Sequence, residues 1–161
     1  VPRAKTRKAA PLPDELKALL HIDRQLCFLL YRASGRMTKV YRPILEPLGL
    51  TYPQYLVMLV LWTDSPRSVG DLGRALELEI GTLSPLLKRM EAAGLIARTR
   101  DPKDERRVSV ALTQAGRALQ AKALERVPKG LACAIKLPID ELVALHGGLN
   151  RLLDTLDVGE R

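Results

Sequence analysis

From Asp14 onward, Leu16, Leu19, Leu20, Leu26, Leu29, Leu30, Ala33, Met37 and Val40 recur near helical spacing, with Pro43 and Pro47 limiting the far end. The pattern predicts a long first helix, kinked or stopped by these prolines. Gly49-Leu50-Thr51-Tyr52-Pro53 then reads as a turn into a second helix with Pro53 in its first turn, nearly all apolar through about Trp62 and so expected to be buried. Ser68 stands ahead of Val69, Leu72, Ala75 and Leu76, a short amphipathic helix whose serine can accept from the orphan N–H groups at its start. After a break between residues 78 and 81, Leu83, Leu86, Leu87 and Met90 fall on one face at i, i+3, i+4 and i+7. Thr82, Ser84, Lys88 and Arg89 point elsewhere, and Gly94 ends the helix. Pro85 has no backbone donor, so it is expected within the first turn, which puts the predicted start near Thr82.

Residues 95–100 and 108–112 carry partly alternating, β-tolerant patterns on either side of the charged stretch 101–107, which predicts a hairpin with a polar tip. Thr113 is placed to cap another helix running to about Val127, where Pro128 and Gly130 interrupt. The last helix is expected from near Asp140. It carries Leu142, Leu145, Leu149, Leu152 and Leu156 at alternating three- and four-residue steps, a narrow heptad seam that suits a partner helix, with packing inside the chain as the alternative.

Composition sharpens this pattern into a class. Only 4% of the 161 residues are aromatic, while leucine and alanine recur at helical spacing, so a mainly α fold is expected and an all-β sandwich disfavoured. The formal net charge of +8 attracts polyanions, nucleic acid before an anionic membrane. Residues 1–13, with Arg3, Lys5, Arg7, Lys8 and three prolines, read as a disordered basic tail, and 14–161 as one domain. No apolar run approaches the roughly 20 residues that span a bilayer, and none follows the basic start as a signal peptide would require, so no membrane partner and a cytoplasmic location are expected. Cys27 and Cys133 are then two thiols in a reducing compartment. An enzyme is disfavoured: the chain offers no Cys-x-x-Cys, two histidines (His21 and His146), no Gly-rich phosphate loop and no nucleophile elbow, and neither a metal nor a cofactor is expected.

Two short helices joined by a tight turn and followed directly by a basic-tipped hairpin describe a winged helix-turn-helix. Its second helix enters the major groove of DNA, and the wing reaches phosphates or an adjacent minor groove. Lys88, Arg89, Arg98, Arg100, Lys103, Arg106 and Arg107 cluster there, with Glu91, Asp101, Asp104 and Glu105 placed to orient the arginines. The DNA-binding set expected from this is Thr82, Ser84, Lys88, Arg89, Lys103, Asp104, Arg106 and Arg107, with Arg106 reaching the minor groove. The predicted architecture is a two-stranded wing on a winged helix of about residues 49–113. Around it stands a helical dimerisation region built from 14–48 and 114–161.

The wing sequence Asp104-Glu105-Arg106-Arg107-Val108-Ser109-Val110-Ala111-Leu112-Thr113 resembles that of the MarR family of dimeric regulators. Within the family, Gln25-Leu26-Cys27-Phe28, Tyr41-Arg42-Pro43, residues 48–55 and residues 81–89 are similar to the organic hydroperoxide-sensing, OhrR-like branch. Ile80 departs from it, standing where that branch has a small polar residue. The resemblance implies a repressor that binds operator DNA as a reduced homodimer and is released when an organic hydroperoxide oxidises Cys27. Tyr41 and Tyr52 would hydrogen-bond to its reduced form, and Cys133 of the second chain would act as resolving thiol. Geometry adds that Tyr31, at i+4, shares a helix face with Cys27, whereas Tyr41 lies roughly 21 Å along a straight helix. Either that helix bends sharply or Tyr41 comes from an antiparallel partner. Two rivals remain open: a regulator released by a small ligand with Cys27 a bystander, and a thiol peroxidase using both cysteines.

Overall fold

The computed structural model describes residues 20–100 and 108–156, in two compact units divided between Val40 and Tyr41. The first holds a 3-10 turn, Ile22–Arg24, and the opening of helix α1, Leu26–Leu45. Of the long first helix expected from Asp14, residues 14–19 lie outside the described residues; among those described α1 begins at Leu26, because the backbone of Gln25 is extended. The stretch His21 to Gln25 gives an apolar face only Ile22. In this unit Leu26, Leu29 and Tyr31 are exposed, and the Arg32 guanidinium lies 5.5 Å from the centroid of the Phe28 ring.

In the second unit α1 passes through Pro43 and ends on buried Ile44 and Leu45. The chain then makes a 3-10 turn, Glu46–Leu48, closed by Gly49 at φ 67°. Helix α2, Tyr52–Thr63, starts where Gln54 Oε1 accepts from the Thr51 N–H at 2.8 Å. Strand β1, Arg67–Ser68, leads into α3, Val69–Leu76, whose first turn is capped by the Ser68 hydroxyl accepting from the Asp71 N–H at 3.1 Å. Glu77, at φ 51°, turns the chain into α4, Ile80–Ala92. Helix α4 starts two residues before the predicted Thr82 and holds Pro85 in its interior. The missing N–H of Pro85 would have bonded the Gly81 carbonyl, and Gly81 is exposed with open space around it, so water can serve that oxygen. Buried Leu83, Leu86, Leu87 and Met90 hold the helix together regardless.

Gly94, at φ 71°, ends that segment. Strands β2, Ile96–Arg100, and β3, Val108–Leu112, pair antiparallel with Arg98 opposite Val110, as the hairpin pattern predicts. The sheet has a third strand that sequence reading omits. β1 pairs with β3, Arg67 opposite Val110, giving the order β1-β3-β2. Helix α5, Gln114–Ala134, starts at Thr113, whose hydroxyl accepts from the Gly116 N–H at 3.0 Å. It does not stop near Val127 but runs through Pro128 and Gly130. The carbonyl orphaned by Pro128 belongs to exposed Leu124, while Ala123 and Val127 are buried and Gly130 packs on Ile44. Helix α6, Ile139–Thr155, has no buried residue.

The core lies where α2, α3 and α4 meet the sheet, around Met58, Leu61, Leu72, Leu87, Met90 and Ile96. Each such side chain contributes roughly 1.5–3 kcal/mol by leaving water. The architecture is mainly α with a small antiparallel wing. Among the described residues no single helix is long and apolar enough to cross a membrane.

Candidate nucleic-acid interface and thiol-sensing site

Burying Leu83, Leu86, Leu87 and Met90 against α2 and α3 fixes which way α4 faces. Thr82, Lys88 and Arg89 are left exposed and Ser84 half-buried. Among the described residues neither Lys88 nor Arg89 has an ion-pair partner. They therefore present unneutralised charge beside two hydroxyls, a mixture suited to phosphates and base edges. Arg98, at the root of the wing, is occupied differently. Its guanidinium donates to Glu91 through Nε and Nη2, both at 2.8 Å, and its N–H donates to the same carboxylate at 3.1 Å. Those hydrogen bonds, and then the positive charge, hold the Glu91 carboxyl below its ordinary pKa. The expectation that acids orient arginines here is thus met by one pair, which ties the recognition helix to β2. Lys103, Asp104, Arg106 and Arg107 lie outside the described residues.

Two exposed thiols, Cys27 near the start of α1 and Cys133 near the end of α5, are unbonded. Tyr31, one turn beyond Cys27, is 77% exposed. In the second unit, the end of α1 and the start of α2 bring Tyr41 and Tyr52 together, ring centroids 4.7 Å apart. Tyr55 follows at 5.9 Å from Tyr41, and Trp62 stands edge-on to Tyr55 at 6.2 Å. Burial, and then the neighbouring phenols, push the Tyr41 hydroxyl above its ordinary pKa, and burial with Tyr52 does the same for Tyr55. Raised pKa values favour the protonated phenol, the form that can donate a hydrogen bond.

Beside these rings is a hollow of about 370 Å³, lined by Tyr41, Tyr55, Leu59, Trp62, Leu124 and Leu131 among others. The Trp62 Nε1–H donates to the Gly116 carbonyl at 2.9 Å, fixing the indole at its edge. Tyr55 and Trp62 are absent from the predicted site, although Tyr52, Tyr55, Leu59 and Trp62 follow one another at steps of three and four along α2. That stripe was the available signal. Cys133 does not line this hollow. It lines another, of about 570 Å³, with Ile44, Pro47, Lys122, Arg126 and Lys129, where the Arg126 Nε–H donates to the Ile44 carbonyl at 3.0 Å. Among the described residues no cluster of His, Cys, Asp and Glu is arranged to hold a metal.

Comparison with known proteins bears on the same architecture. A family model described as transcriptional regulator SarA/Rot matches residues 39–122. The organic hydroperoxide resistance transcriptional regulator of Bacillus subtilis is 44% identical over 137 residues, covering 85% of this chain and 92% of that protein. Among solved structures, reduced AbfR bound to DNA matches with a TM-score of 0.72 and 33% identity, covering 86% of this chain and 96% of the other. Disulfide-formed AbfR matches with a TM-score of 0.62 and 31% identity over 88% and 95%; AbfR is from Staphylococcus epidermidis. With such relatives matched over most of their length, and a winged helix in its own backbone, this chain is a transcriptional regulator of the MarR family rather than an enzyme.

Proposed function

We propose that the protein is a repressor that holds operator DNA as a reduced homodimer and lets go when an organic hydroperoxide oxidises Cys27. The observation that carries this reading is the Tyr41–Tyr52 pair, two phenol rings with centroids 4.7 Å apart. Phenol donors favour a thiolate over a thiol, and the thiolate is the nucleophile. On this reading those phenols face the partner's Cys27, with Tyr31 beside each thiol on its own helix. Cys27 attacks one peroxide oxygen, the O–O bond breaks, and the alcohol leaves after taking a proton, so Cys27 becomes a sulfenic acid. The partner's Cys133 then attacks the sulfenic sulfur, forming the disulfide and releasing water.

A homodimer is supported by α6, where Leu142, Leu149 and Leu152 are half-buried and Leu145 and Leu156 exposed. Two winged helices on a pseudo-palindromic operator would occupy successive major grooves. Thr82, Ser84, Lys88 and Arg89 would face bases or phosphates, and Lys103, Asp104, Arg106 and Arg107 the backbone and minor groove, in the cytoplasm where such an operator lies. The names of the relatives, a hydroperoxide resistance regulator and a protein caught reduced on DNA and in a disulfide form, agree with this chemistry.

The test is operator binding with and without cumene hydroperoxide, repeated after adding a thiol reductant. Wild type should release DNA and rebind on reduction. Cys27→Ser should bind and ignore peroxide, while Cys133→Ser should respond but overoxidise, its sulfenic acid lacking a partner. Release of Cys27→Ser by peroxide would sink the proposal. A second reading, release by a small ligand, is favoured by the hollow beside Tyr41, whose volume falls at the lower end for small-molecule sites. Release without thiol chemistry would select it.

A further inference from the structure

The recognition helix opens on a side chain that the fold does not use. Ile80, the first residue of α4, is 62% exposed, whereas Leu83, Leu86, Leu87 and Met90 on the same helix are buried. Its surroundings on the open face are polar or charged: Thr82, Ser84 one turn on, and Lys88 two turns on. Ile80 and Ser84 share the rim of a shallow hollow of about 400 Å³ with Asp71, Arg74 and Arg98. Gly81 beside it has open space where a Cβ would be, so the start of α4 can come close to another molecule.

A branched aliphatic in that position costs hydration in the free protein and gains burial only when this face meets a partner. The cations on the face select a polyanion. Residues at the N-terminus of a recognition helix are those that reach base edges in the major groove. Of the groups displayed there, the thymine C5-methyl is the one apolar group large enough to bury against an aliphatic side chain. Isoleucine carries neither a donor nor a charge for phosphate or for a base heteroatom.

We propose that Ile80 is a specificity-determining residue that reads the C5-methyl of one thymine in each operator half-site. This rests on the reading of α4 as the helix in the major groove, and it adds which base the first turn selects and by what contact.

The experiment first selects operator duplexes from a random pool with the full-length reduced protein. It then replaces each thymine singly by deoxyuridine, which removes only the methyl group. At one thymine per half-site the replacement should weaken binding by about fourfold, the equilibrium factor for one buried methyl-sized group, and by about sixteenfold when both half-sites carry it. Ile80→Ala should bind the unmodified operator more weakly and be indifferent to deoxyuridine at that same position. Its thermal midpoint should stay close to wild type, since the side chain is largely exposed and not part of the core. Wild-type binding that is unchanged by deoxyuridine at every position overturns the assignment and leaves the DNA-binding reading standing. So does a full deoxyuridine penalty in Ile80→Ala. Failure to enrich any duplex removes both.

Discussion

Gly116 carries two jobs at one backbone position. Its N–H is taken by the cap of α5 and its carbonyl by the Trp62 indole, and a Cβ there would run into the backbone oxygen of Leu95. The opposing group is main chain in the turn that enters the wing and cannot rotate away. Gly116→Ala should therefore destabilise by about 1–3 kcal/mol, the range for forcing extra atoms into a packed site, measured as a lowered urea midpoint. Wild-type stability would show that the turn moves freely. The neighbouring phenol cluster shows how far residue-level reading reached. Tyr41 and Tyr52 came from resemblance, because nothing in the spacing of one chain says that the end of α1 will lie against the start of α2. Tyr55 and Trp62 were within reach of periodicity along α2, but on a helix nearly all apolar the stripe facing a hollow looks like the stripes facing the core.

Between elements, the Glu91–Arg98 pair joins α4 to β2 and so fixes the recognition helix relative to the wing root. The Glu91 pKa is lowered in the folded state, so its contribution is fully present above the ordinary value of 4.5 and is lost as pH falls through the lowered one. Glu91→Gln should flatten the acid limb of stability below the ordinary value of 4.5, and Arg98→Ala should flatten the same limb. The two effects should not add in the double variant. Additive losses would mean that the pair does not act as a unit. Local signals made the caps legible at this scale: Ser68 and Thr113 each sit directly before the apolar run they serve. Non-local ones were not. β1 exists because Arg67 and Ser68 meet β3 about forty residues away, and Pro85 and Pro128 are tolerated inside helices because the residues whose carbonyls they orphan, Gly81 and Leu124, are exposed and open to solvation. A proline rule applied to sequence alone assumes that the lost bond cannot be replaced, which holds only for a buried carbonyl.

Across the whole molecule, the apolar surface left on α6 is larger than a finished fold would leave. Ile139 and Val143 are exposed along with Leu145 and Leu153, and Leu156 just past the helix is exposed too. Of the heptad seam read from the sequence, Leu145 and Leu156 are among these exposed residues while Leu142, Leu149 and Leu152 are half-buried. Replacing Leu149 and Leu152 together by Gln should turn a dimer into a monomer in sedimentation equilibrium. Operator affinity should drop by well over tenfold, because two half-sites would no longer be held by one particle. A dimer that survives this change would place the seam against its own chain.

Trp62 is the one tryptophan in the chain, and its indole is held against the hollow by Gly116 with the Tyr55 ring 6.2 Å away. The protein thereby carries an intrinsic fluorophore whose emission colour reports water at that single place and whose excitation through tyrosine reports the ring geometry around it. Peroxide acting at Cys27 should shift the emission maximum and change the tyrosine-sensitised yield in wild type, and neither in Cys27→Ser. Unchanged emission during DNA release would locate the moving parts elsewhere. Stopped-flow traces of that light, with no label attached, would time the switch directly.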